Sequence, residues 1–355
     1  MSGSSLDGLD IVYAELQENA GKWSFTILEA DCIGYAPEWK EKLRNAPGFS
    51  ALEYQLLHTS YGHYLGQQVN KFIEAHGLQY KVALIASHGH TCFHFPSQKM
   101  TAQLGDGAAI AAVTGLPVVS DLRAMDVAFG GQGAPIVPIG EKFLFPDFNM
   151  FLNLGGIANI SFHTNESFIA FDVCPANRVL NSLAAKVGKD YDQNGEMASS
   201  GNVHALLLDK LNQQEYYRQP PPKSLDNSFG ATEIYPLIRS FALTHNDSLR
   251  TYVEHIVVQI KNALSNYKLQ TTNSKLLVTG GGAFNSFLIQ RLKEELQSIN
   301  IEAVIPDKQI IDFKEALAMA LIGALRWRQE YTVLSSVTGA KRDSIGGAVW
   351  IGQEA

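Results

Sequence analysis

Short apolar runs alternate along the chain with longer segments whose apolar residues recur every three or four positions. Runs of four to six such residues ending in polar or glycine turns are typical of buried strands. The predicted strands are Val82–Ala86, Pro117–Ser120, Met150–Leu154, Ile157–Phe162, Phe168–Phe171 and Lys275–Thr279. Their alternation with helices favours an α/β architecture over a helical bundle or a β-sandwich.

Helical periodicity is clearest in three segments. One apolar face runs from Leu249 to Leu264, and Asn246–Ser248 precedes it as a cap region. Ala108–Val113 predicts a short helix with Asp106 as its N-cap. The third helix is expected over Asp312–Trp327.

The pattern of the sequence changes near Pro135–Asp147, and this change predicts a boundary between two domains. At 355 residues the chain is long enough for both. We expect an N-terminal α/β domain over residues 1–140 and a C-terminal α/β domain over 141–355, with the last helix packing back on the N-terminal domain. The proline run Pro220–Pro222 reads as a rigid surface loop.

Composition narrows the classes of partner. Hydrophobic residues make up 46% and the formal net charge is -7, which argues against broad binding to nucleic acid or to acidic membranes. The three cysteines are scattered and predict no disulfide framework, which favours the cytoplasm. The start of the chain lacks the features of a secretion signal, and no apolar run approaches the roughly 20 residues of a membrane span.

Glycine turns are the first candidate binding features. Gly155–Gly156 lies between two predicted strands, where backbone N–H groups can converge on an anion, and Asn153 and Asn159 flank it. Taken alone, this pair is better explained by an ordinary tight hairpin. The N-terminal turn Gly3–Asp10 can likewise direct backbone N–H groups at an anion. It also contains the carboxylates of Asp7 and Asp10, which either orient Mg²⁺ through water or fix the turn by hydrogen bonds.

Gly280, Gly281 and Gly282 follow a predicted strand and precede a helix expected to begin near Ser286. A glycine run lets a flat ligand such as adenine approach the backbone, and the helix N-terminus adds positive potential. Because glycine loses chain entropy without adding a packing side chain, we interpret this run as functional, with Asn285 at its end.

Polar residues at strand ends supply candidate chemistry. Asp172 lies at the carboxyl end of a predicted strand, where it is either a general base or a turn aspartate. Arg123 either pairs with Asp126 or binds an anionic substrate. Glu315 lies three positions after Asp312, and this pair matches a helix capping box. The histidines His88, His90 and His94 suggest a metal site, but local hydrogen bonds in a turn explain them as well.

Together these segments resemble the anhydro-N-acetylmuramic acid kinase family, within the superfamily of sugar kinases, heat-shock chaperone ATPases and actin. The resemblance implies a two-domain actin-like ATPase fold, which is ribonuclease H-like, with an interdomain cleft. It runs almost end to end, through the stretches Ser2–Asp10, Ser87–Thr91, Gln103–Pro138, Asn153–Ser161, Phe171–Asn177, Tyr191–Gly201, Pro221–Ser224, Gly280–Asn285 and Lys314–Ala320.

The family implies an ATP- and Mg²⁺-dependent reaction that opens 1,6-anhydro-N-acetylmuramic acid and phosphorylates O6 during cell-wall recycling. By resemblance, Asp172 activates the attacking water, and His88, Arg123, Asn177 and Glu315 belong to the sugar pocket. The residues that would bind the nucleotide are Gly3, Ser4, Ser5, Leu6, Asp7, Gly8, Leu9, Asp10, Asn153, Gly155, Gly156, Gly280, Gly281, Gly282 and Asn285. The family also implies a homodimer.

This chain departs from the family pattern at two important places. The family has a β-strand directly before the N-terminal turn, whereas here Met1 stands next to that turn, so the first strand looks truncated. In Asp172–Asn177 a hydroxyl residue and two glycines are replaced, which affects backbone phosphate contacts near Val173 and Ala176. The alternatives to the kinase are therefore a non-catalytic relative that binds nucleotide or sugar, and a histidine-based metal hydrolase.

Overall fold

The structure is a computed structural model that describes residues 1–3, 6–163, 168–221, 223–226, 228–265 and 274–352. Its strands are β1 Gly8–Asn19, β2 Lys22–Gly34, β3 Ile85–Ala86, β4 His90–Phe95, β5 Met100–Leu104, β6 Val118–Ser120, β7 Met150–Leu154, β8 Ile157–His163, β9 Phe168–Pro175, β10 Ser274–Thr279, β11 Ile301–Val304 and β12 Ala348–Trp350.

Helices alternate with these strands, which confirms the α/β class. They are α1 Pro37–Asn45, α2 Ala51–Ala75, α3 Gly107–Thr114, α4 Ala124–Ala128, α5 Pro138–Leu144, α6 Asn177–Ala184, α7 Glu196–Ser199, α8 Ala205–Asn212, α9 Tyr235–Ser240, α10 His245–Ser265, α11 Ser286–Gln297, α12 Lys308–Trp327 and α13 Ser335–Thr338. Short 3₁₀ turns lie between some of them, and Gly230–Ile234 forms a π-helical turn before α9.

The chain divides into two compact units. Unit 1 comprises Met1–Pro146 and Phe313–Ala355, and unit 2 comprises Asp147–Asp312. This division differs from the predicted C-terminal range of 141–355. The physical reason is strand pairing: β12 forms an antiparallel pair with β6, and Trp350 donates a hydrogen bond to Ser120.

Unit 2 contains a five-stranded sheet in the order β11-β10-β7-β8-β9. Its strands β7, β8 and β9 form an antiparallel meander, while β10 and β11 run parallel to β7. A three-strand meander extended by parallel strands beside its first member is the ribonuclease H-like topology, as expected. Because β7 and β10 are parallel, their carboxyl ends meet at one edge, where α/β sheets bind ligands.

The core of unit 2 is built on this sheet and on α10. That helix contacts β9, α6, α7, α8 and α11, and most of its residues are buried. Its first turn is capped by Thr244, whose hydroxyl accepts a hydrogen bond from the Asp247 amide, rather than by the predicted Asn246–Ser248 region. The Tyr252 hydroxyl donates to the Pro175 carbonyl, so the buried phenol is satisfied and ties α10 to the end of β9.

Unit 1 has a long β1–β2 ribbon, a β4–β5 ribbon and a three-stranded sheet in the order β12-β6-β3. Only Ile85–Ala86 of the predicted strand over Val82–Ala86 is paired, and it lies parallel to β6. The expected Asp106 cap is confirmed, because its carboxylate accepts a hydrogen bond from the Ala108 amide at the start of α3.

A cavity of about 360 Å³ lies within unit 1. One side is formed by β1 from Leu9 to Leu16, and another by Lys81–Ser87. The remaining lining is largely apolar and comes from α2, α3 and α12. Met1 also lines the cavity, and Ser2 forms an antiparallel bridge with Leu9 and a parallel bridge with His90.

Candidate active site

Four polar residues stand side by side across the sheet of unit 2. In the strand register, Thr279 of β10 is opposite Asn153 of β7, Asn153 is opposite Asn159 of β8, and Asn159 is opposite Asp172 of β9. Residues directly opposite in neighbouring strands project from the same face with their Cβ atoms roughly 5 Å apart. The register therefore creates a polar row that leads to the candidate base.

Asp172 lies inside β9, not at the end of a strand as predicted. The register between β8 and β9 shifts at this point, because Asn159 is opposite Asp172 while Ala158 is opposite Cys174. Val173 is the additional residue of this β-bulge, and bulges commonly redirect neighbouring side chains. The strand continues to Pro175 beyond the bulge, so the interpretation of Asp172 as a turn residue does not hold.

The Asp172 carboxyl is partly buried and closely held. Its Oδ2 accepts a hydrogen bond from the Leu225 amide at 2.9 Å, and its backbone carbonyl accepts one from the Tyr216 hydroxyl at 2.6 Å. Burial raises the pKa of Asp172, while the Leu225 hydrogen bond acts in the opposite direction. A carboxylate whose pKa is raised is a better proton acceptor near neutral pH than an exposed aspartate.

The replaced residues after Asp172 belong to the core of unit 2. The side chains of Val173 and Ala176 are buried. The Ala176 amide donates to the Gly156 carbonyl at 2.8 Å, so this N–H group is committed to the protein backbone. The substitutions therefore change packing beneath the candidate site, and they leave the carboxylate of Asp172 in place.

Gly155 and Gly156 form the turn between β7 and β8. Neither has the positive φ that our interpretation of the motif invoked. Instead their carbonyls accept hydrogen bonds from the amides at the start of α6, including Asn177 to Gly155 at 3.1 Å. A Cβ built at Gly155 would come no closer than 3.4 Å to its neighbours, and one at Gly156 no closer than 3.6 Å. The turn thus has room beside its backbone for a ligand.

Two glycines of the predicted adenosine run have a packing function. Gly280 has φ 80°, and a Cβ there would lie 2.2 Å from Asn153 Oδ1. A Cβ at Gly282 would lie 2.7 Å from the Leu154 Cβ. The expectation that this run has no packing gain is therefore wrong for both, because they let β10 approach the end of β7. Gly281 is exposed, with its nearest neighbour 3.6 Å away.

Two asparagines hold the surrounding backbone. Asn177 is the first residue of α6, and its side-chain Nδ2 donates a hydrogen bond to the Leu154 carbonyl at 2.8 Å. Asn285 caps α11, which begins at Ser286 as predicted, by accepting a hydrogen bond from the Leu288 amide. Unit 2 thus brings together Asn153, Gly155, Gly156, Asn177 and Gly280–Gly282 at the carboxyl ends of its parallel strands.

The N-terminal turn of unit 1 is described at Met1–Gly3 and from Leu6 onward. Ser4 and Ser5, two predicted nucleotide ligands, lie outside the described residues. Leu6 has φ 58°, which turns the chain back toward β1, and its amide donates to the Gly3 carbonyl. Leu9 is buried and pairs with Ser2. Gly8 is required for close packing, because a Cβ there would lie 2.7 Å from the Cys32 sulfur.

In unit 1 the buried His88 contacts the partly buried Arg123. The Arg123 Nε donates to His88 Nε2 at 2.8 Å, and His88 Nδ1 lies 2.9 Å from the Gly89 carbonyl. The histidine is therefore neutral, with its proton on Nδ1. Burial and the neighbouring Arg123 charge lower the pKa of His88 to about 3. This arrangement orients the guanidinium without adding a second positive charge.

Arg123 is held by backbone and balanced by acids. Its guanidinium also donates a hydrogen bond to the Gly133 carbonyl. Burial lowers the pKa of Arg123 to about 10, while the negative charges of Glu315 and Asp126 act to raise it. Asp126 accepts hydrogen bonds from the Gly133 amide and the Thr338 hydroxyl, so it fixes the loop that holds Arg123. A partly buried guanidinium oriented in this way is suited to an anionic substrate.

Glu315 is not part of a capping box. The helix α12 begins at Lys308, and its cap is Asp307, whose carboxylate accepts a hydrogen bond from the Ile310 amide. Asp312 therefore lies one turn inside the helix, where it pairs with Lys308. Glu315 is partly buried, and its charge acts on both Arg123 and the amino group of Met1.

The histidines do not form a metal site. His88 is engaged through both ring nitrogens, His90 Nδ1 lies 3.1 Å from the Ser2 hydroxyl, and His94 Nδ1 lies 3.0 Å from the Thr101 hydroxyl. Across the described residues, no group of three or more potential ligand side chains of the types His, Cys, Asp and Glu converges. This geometry disfavours the metal hydrolase.

Comparison with known proteins supplies the family. The profile of the anhydro-N-acetylmuramic acid kinase family matches residues 1–352. The chain belongs to this family. The anhydro-N-acetylmuramic acid kinase of Haemophilus influenzae is 35% identical to it, covering 99% of this chain and 96% of the relative. That of Synechococcus elongatus is 33% identical and covers 99% and 98%.

Similarity to solved structures is weaker. An activator of 2-hydroxyisocaproyl-CoA dehydratase from Clostridium difficile with bound ADPNP is 18% identical, with a TM-score of 0.36 over 55% of this chain and 66% of that chain. The ethanolamine utilization protein EutJ from Carboxydothermus hydrogenoformans is 13% identical, with a TM-score of 0.36 over 72% and 74%. Likeness at this level assigns no activity. Among the helices that the structure describes, none has the length and apolarity required to cross a membrane.

For a member of this kinase family, the structure adds residues that sequence reasoning did not place at the site. Thr279 stands in the polar row only because β10 pairs with β7. Tyr216 and Leu225 reach Asp172 from a segment more than 40 residues farther along the chain. The sequence signals for that segment were Pro221–Ser224, one of the stretches shared with the family, and the proline run Pro220–Pro222, of which Pro222 lies outside the described residues.

Proposed function

We propose that this protein is an ATP-dependent kinase that hydrolytically opens 1,6-anhydro-N-acetylmuramic acid and phosphorylates O6, in the recycling of cell-wall peptidoglycan. Its match to the anhydro-N-acetylmuramic acid kinase family over residues 1–352 carries this proposal. In the reaction, water adds to the anomeric carbon and the bond from that carbon to O6 breaks. O6 takes the γ-phosphoryl group of ATP, and the products are N-acetylmuramate 6-phosphate and ADP.

In unit 2, Asp172 is the proposed general base. It accepts a proton from the attacking water, and its raised pKa together with its place in the polar row supports that function. The open backbone of Gly155 and Gly156 is proposed to contact phosphate, with Asn153 beside it. Gly280–Gly282 is proposed to lie against adenosine, with Gly281 offering the exposed surface.

In unit 1, Gly3–Asp10 is the proposed phosphate-binding turn. Arg123, which is partly buried and oriented by His88, is proposed to bind the carboxylate of the sugar's lactyl group, since a guanidinium forms two parallel hydrogen bonds with a carboxylate. Glu315 is partly buried near Arg123 and is proposed to accept hydrogen bonds from the sugar. In unit 2, Asn177 is proposed to act through Leu154, whose carbonyl accepts a hydrogen bond from the Asn177 side chain.

Mg²⁺ is the proposed metal partner of ATP. Asp7 is exposed in the bend before β1, and an exposed carboxylate fits a hydrated Mg²⁺, which retains several waters. Asp10 fits less well, because its charge acts on the buried amino group of Met1. When bound, the ion would neutralise charge on the phosphates. We further propose a cytoplasmic homodimer, which light scattering of the purified protein would test.

An ADP-release assay with a panel of anhydro and reducing amino sugars tests the proposal. We expect turnover with the anhydro sugar, ATP and Mg²⁺ together, and a loss of at least about 100-fold in the Asp172→Asn variant, since general bases contribute roughly 10²–10⁴-fold. Equal turnover of reducing sugars would contradict the ring-opening chemistry. Full activity of Asp172→Asn would contradict the assignment of the base. Calorimetric binding of sugar and nucleotide without product would instead favour the non-catalytic relative.

A further inference from the structure

Asp172 lies on an edge strand, and a separate segment covers that edge. The sheet of unit 2 ends at β9, so one side of this strand has no neighbouring strand in the sheet. The Asp172 amide donates to the Lys223 carbonyl at 3.2 Å, and the Asp172 carbonyl accepts from the Tyr216 hydroxyl at 2.6 Å. Both groups therefore point away from β8, and residues of one segment satisfy them.

The same segment reaches the carboxylate. The Leu225 amide donates to Asp172 Oδ2 at 2.9 Å. Among the hydrogen bonds of the described residues, this is the one that reaches the Asp172 carboxylate. An oxygen that accepts an amide hydrogen bond is a weaker base than its partner oxygen, because the bond stabilises its negative charge. Oδ1 is consequently the oxygen that is better prepared to take a proton.

Lys223 connects the parts of this segment. Its Nζ donates to the Tyr216 carbonyl at 3.1 Å and lies 4.6 Å from the centre of the Tyr216 ring. It also lies 5.8 Å from the ring centre of Phe171, the residue before Asp172. A cation over an aromatic face is attracted by the ring, so the ammonium group holds Tyr216 against β9. Burial raises the pKa of Tyr216, which keeps its hydroxyl protonated and able to donate.

We propose that Tyr216, Lys223 and Leu225 form a clamp of positioning residues that fixes the orientation and the proton affinity of Asp172. This inference rests on the function proposed above, in which Asp172 is the general base. The bulge at Val173 interrupts the regular pairing of β9 beside Asp172, so the sheet alone constrains this residue weakly. The clamp supplies three contacts at the point where the ladder is irregular.

The sign of the expected pH effect follows from the contacts. Burial raises the pKa of Asp172, and the Leu225 hydrogen bond opposes that rise. Loosening the clamp lengthens this bond, so the pKa of Asp172 rises further. Because a base acts in its deprotonated form, the acid limb of the kcat/KM profile then moves to higher pH. A loss of folding stability alone would not move this limb.

The test compares Tyr216→Phe with Tyr217→Phe. The first variant removes the hydroxyl that holds Asp172. The second removes a neighbouring, partly buried hydroxyl that lies 3.0 Å from His255 Nε2, so it serves as the matched control. We expect Tyr216→Phe to lower kcat about tenfold or more with KM little changed, since small displacements of catalytic groups have large effects on rate. Tyr217→Phe should leave the pH profile in place.

Two further variants protect the test against a folding defect. Lys223→Met should move the acid limb in the same direction as Tyr216→Phe, while Lys223→Arg, which retains a cation, should restore most of kcat. Thermal unfolding of every variant shows whether the chain is folded. Equal kcat and equal pH profiles for Tyr216→Phe and Tyr217→Phe would overturn the clamp, provided that the wild type turns over and Asp172→Asn does not.

A measurement without turnover separates the clamp from the proposed function. Carbon-13 NMR of the labelled protein follows the titration of the Asp172 carboxyl directly. We expect a higher pKa for Asp172 in Tyr216→Phe than in the wild type and in Tyr217→Phe. An unchanged Asp172 titration in a folded Tyr216→Phe would overturn the clamp. Inactivity of the wild type on every sugar, combined with the expected titration shift, would instead overturn the proposed function alone.

Discussion

An extension of six apolar residues in front of Met1 should stabilise unit 1. Ser2 runs antiparallel to Leu9 and parallel to His90, so the chain direction at Met1 points into the cavity beside β1. If the Ser2–Leu9 and Ser2–His90 registers are continued backward past Met1, the sixth added residue lies opposite Leu16 in the first and opposite Ala83 in the second. Both of these residues line the cavity, so a strand of six added residues stays within it in either register.

The size of the effect can be worked from this geometry. Ordering six residues costs about 9 kcal/mol at roughly 1.5 kcal/mol each. Burying six Val or Ile side chains gains about 12 kcal/mol at roughly 2 kcal/mol each. The net gain of about 3 kcal/mol corresponds to an increase of roughly 6–12 °C in the midpoint of thermal unfolding for a domain of this size.

The pH dependence provides a second readout. Burial lowers the pKa of the Met1 amino group from 8.0 to about 6, with Asp10 and Glu315 acting in the opposite direction. Since the folded chain then binds fewer protons than the unfolded chain, stability rises between about pH 6 and pH 8. At about 1.36 kcal/mol per pKa unit, the rise is about 3 kcal/mol. The extended chain has an amide at this position and should lack that rise.

Thermal unfolding at pH 6 and pH 8 is the assay, and a six-residue Gly/Ser extension is the control. The apolar extension should raise the midpoint at both pH values. The Gly/Ser extension also converts the Met1 amine into an amide, so it should remove the pH dependence without the gain in midpoint. Equal midpoints for the two extensions would refute the reasoning from packing, and an unchanged pH dependence in the apolar variant would refute the assignment of the rise to the Met1 amine.

Two further predictions follow from buried contacts. Glu141→Gln leaves the Lys314 ammonium buried without its carboxylate partner at 2.7 Å, so thermal or urea unfolding should show a loss of about 3–5 kcal/mol; a loss below about 1 kcal/mol would contradict this. Gly280→Ala introduces a Cβ against Asn153 in a left-handed conformation, so calorimetry should show at least about tenfold weaker ADP binding. Gly21→Ala, with φ 81° and open space, is its control and should bind ADP normally.

The sequence predicted the sheet of unit 2 well and that of unit 1 poorly. Strands β7 to β10 are short apolar runs, because the sheet buries them against α10 and its neighbours. The β1–β2 ribbon was not predicted, since its long strands alternate irregularly between half-buried and exposed positions. The helix α2, with Gly62 and Gly66 packed closely against α3, was also missed. Periodicity detects burial by a sheet core more readily than burial along one helix face.

The candidate site was predicted as separate motifs, and its geometry was not. Asp172 and Asn153 were identified from local patterns, but their common row depends on which strands pair and in which register. The bulge at Val173 has no local signature, because it arises from pairing with β8. The His88–Arg123 contact likewise joins residues 35 positions apart, so neither side chain alone indicated a neutral histidine.

The glycines show most clearly why a motif needs a structure. Three turns were interpreted by the same argument of conformational freedom, yet their glycines serve different ends. Gly280 and Gly282 are required by close approach to β7, whereas Gly155 and Gly281 have neighbours no closer than ordinary van der Waals contact. Where close packing leaves no room for a Cβ, the packing alone explains why the residue is glycine, and no ligand is needed. The open backbone at Gly155 and Gly281 therefore supports the proposed nucleotide site, because a ligand can approach it without displacing packed neighbours.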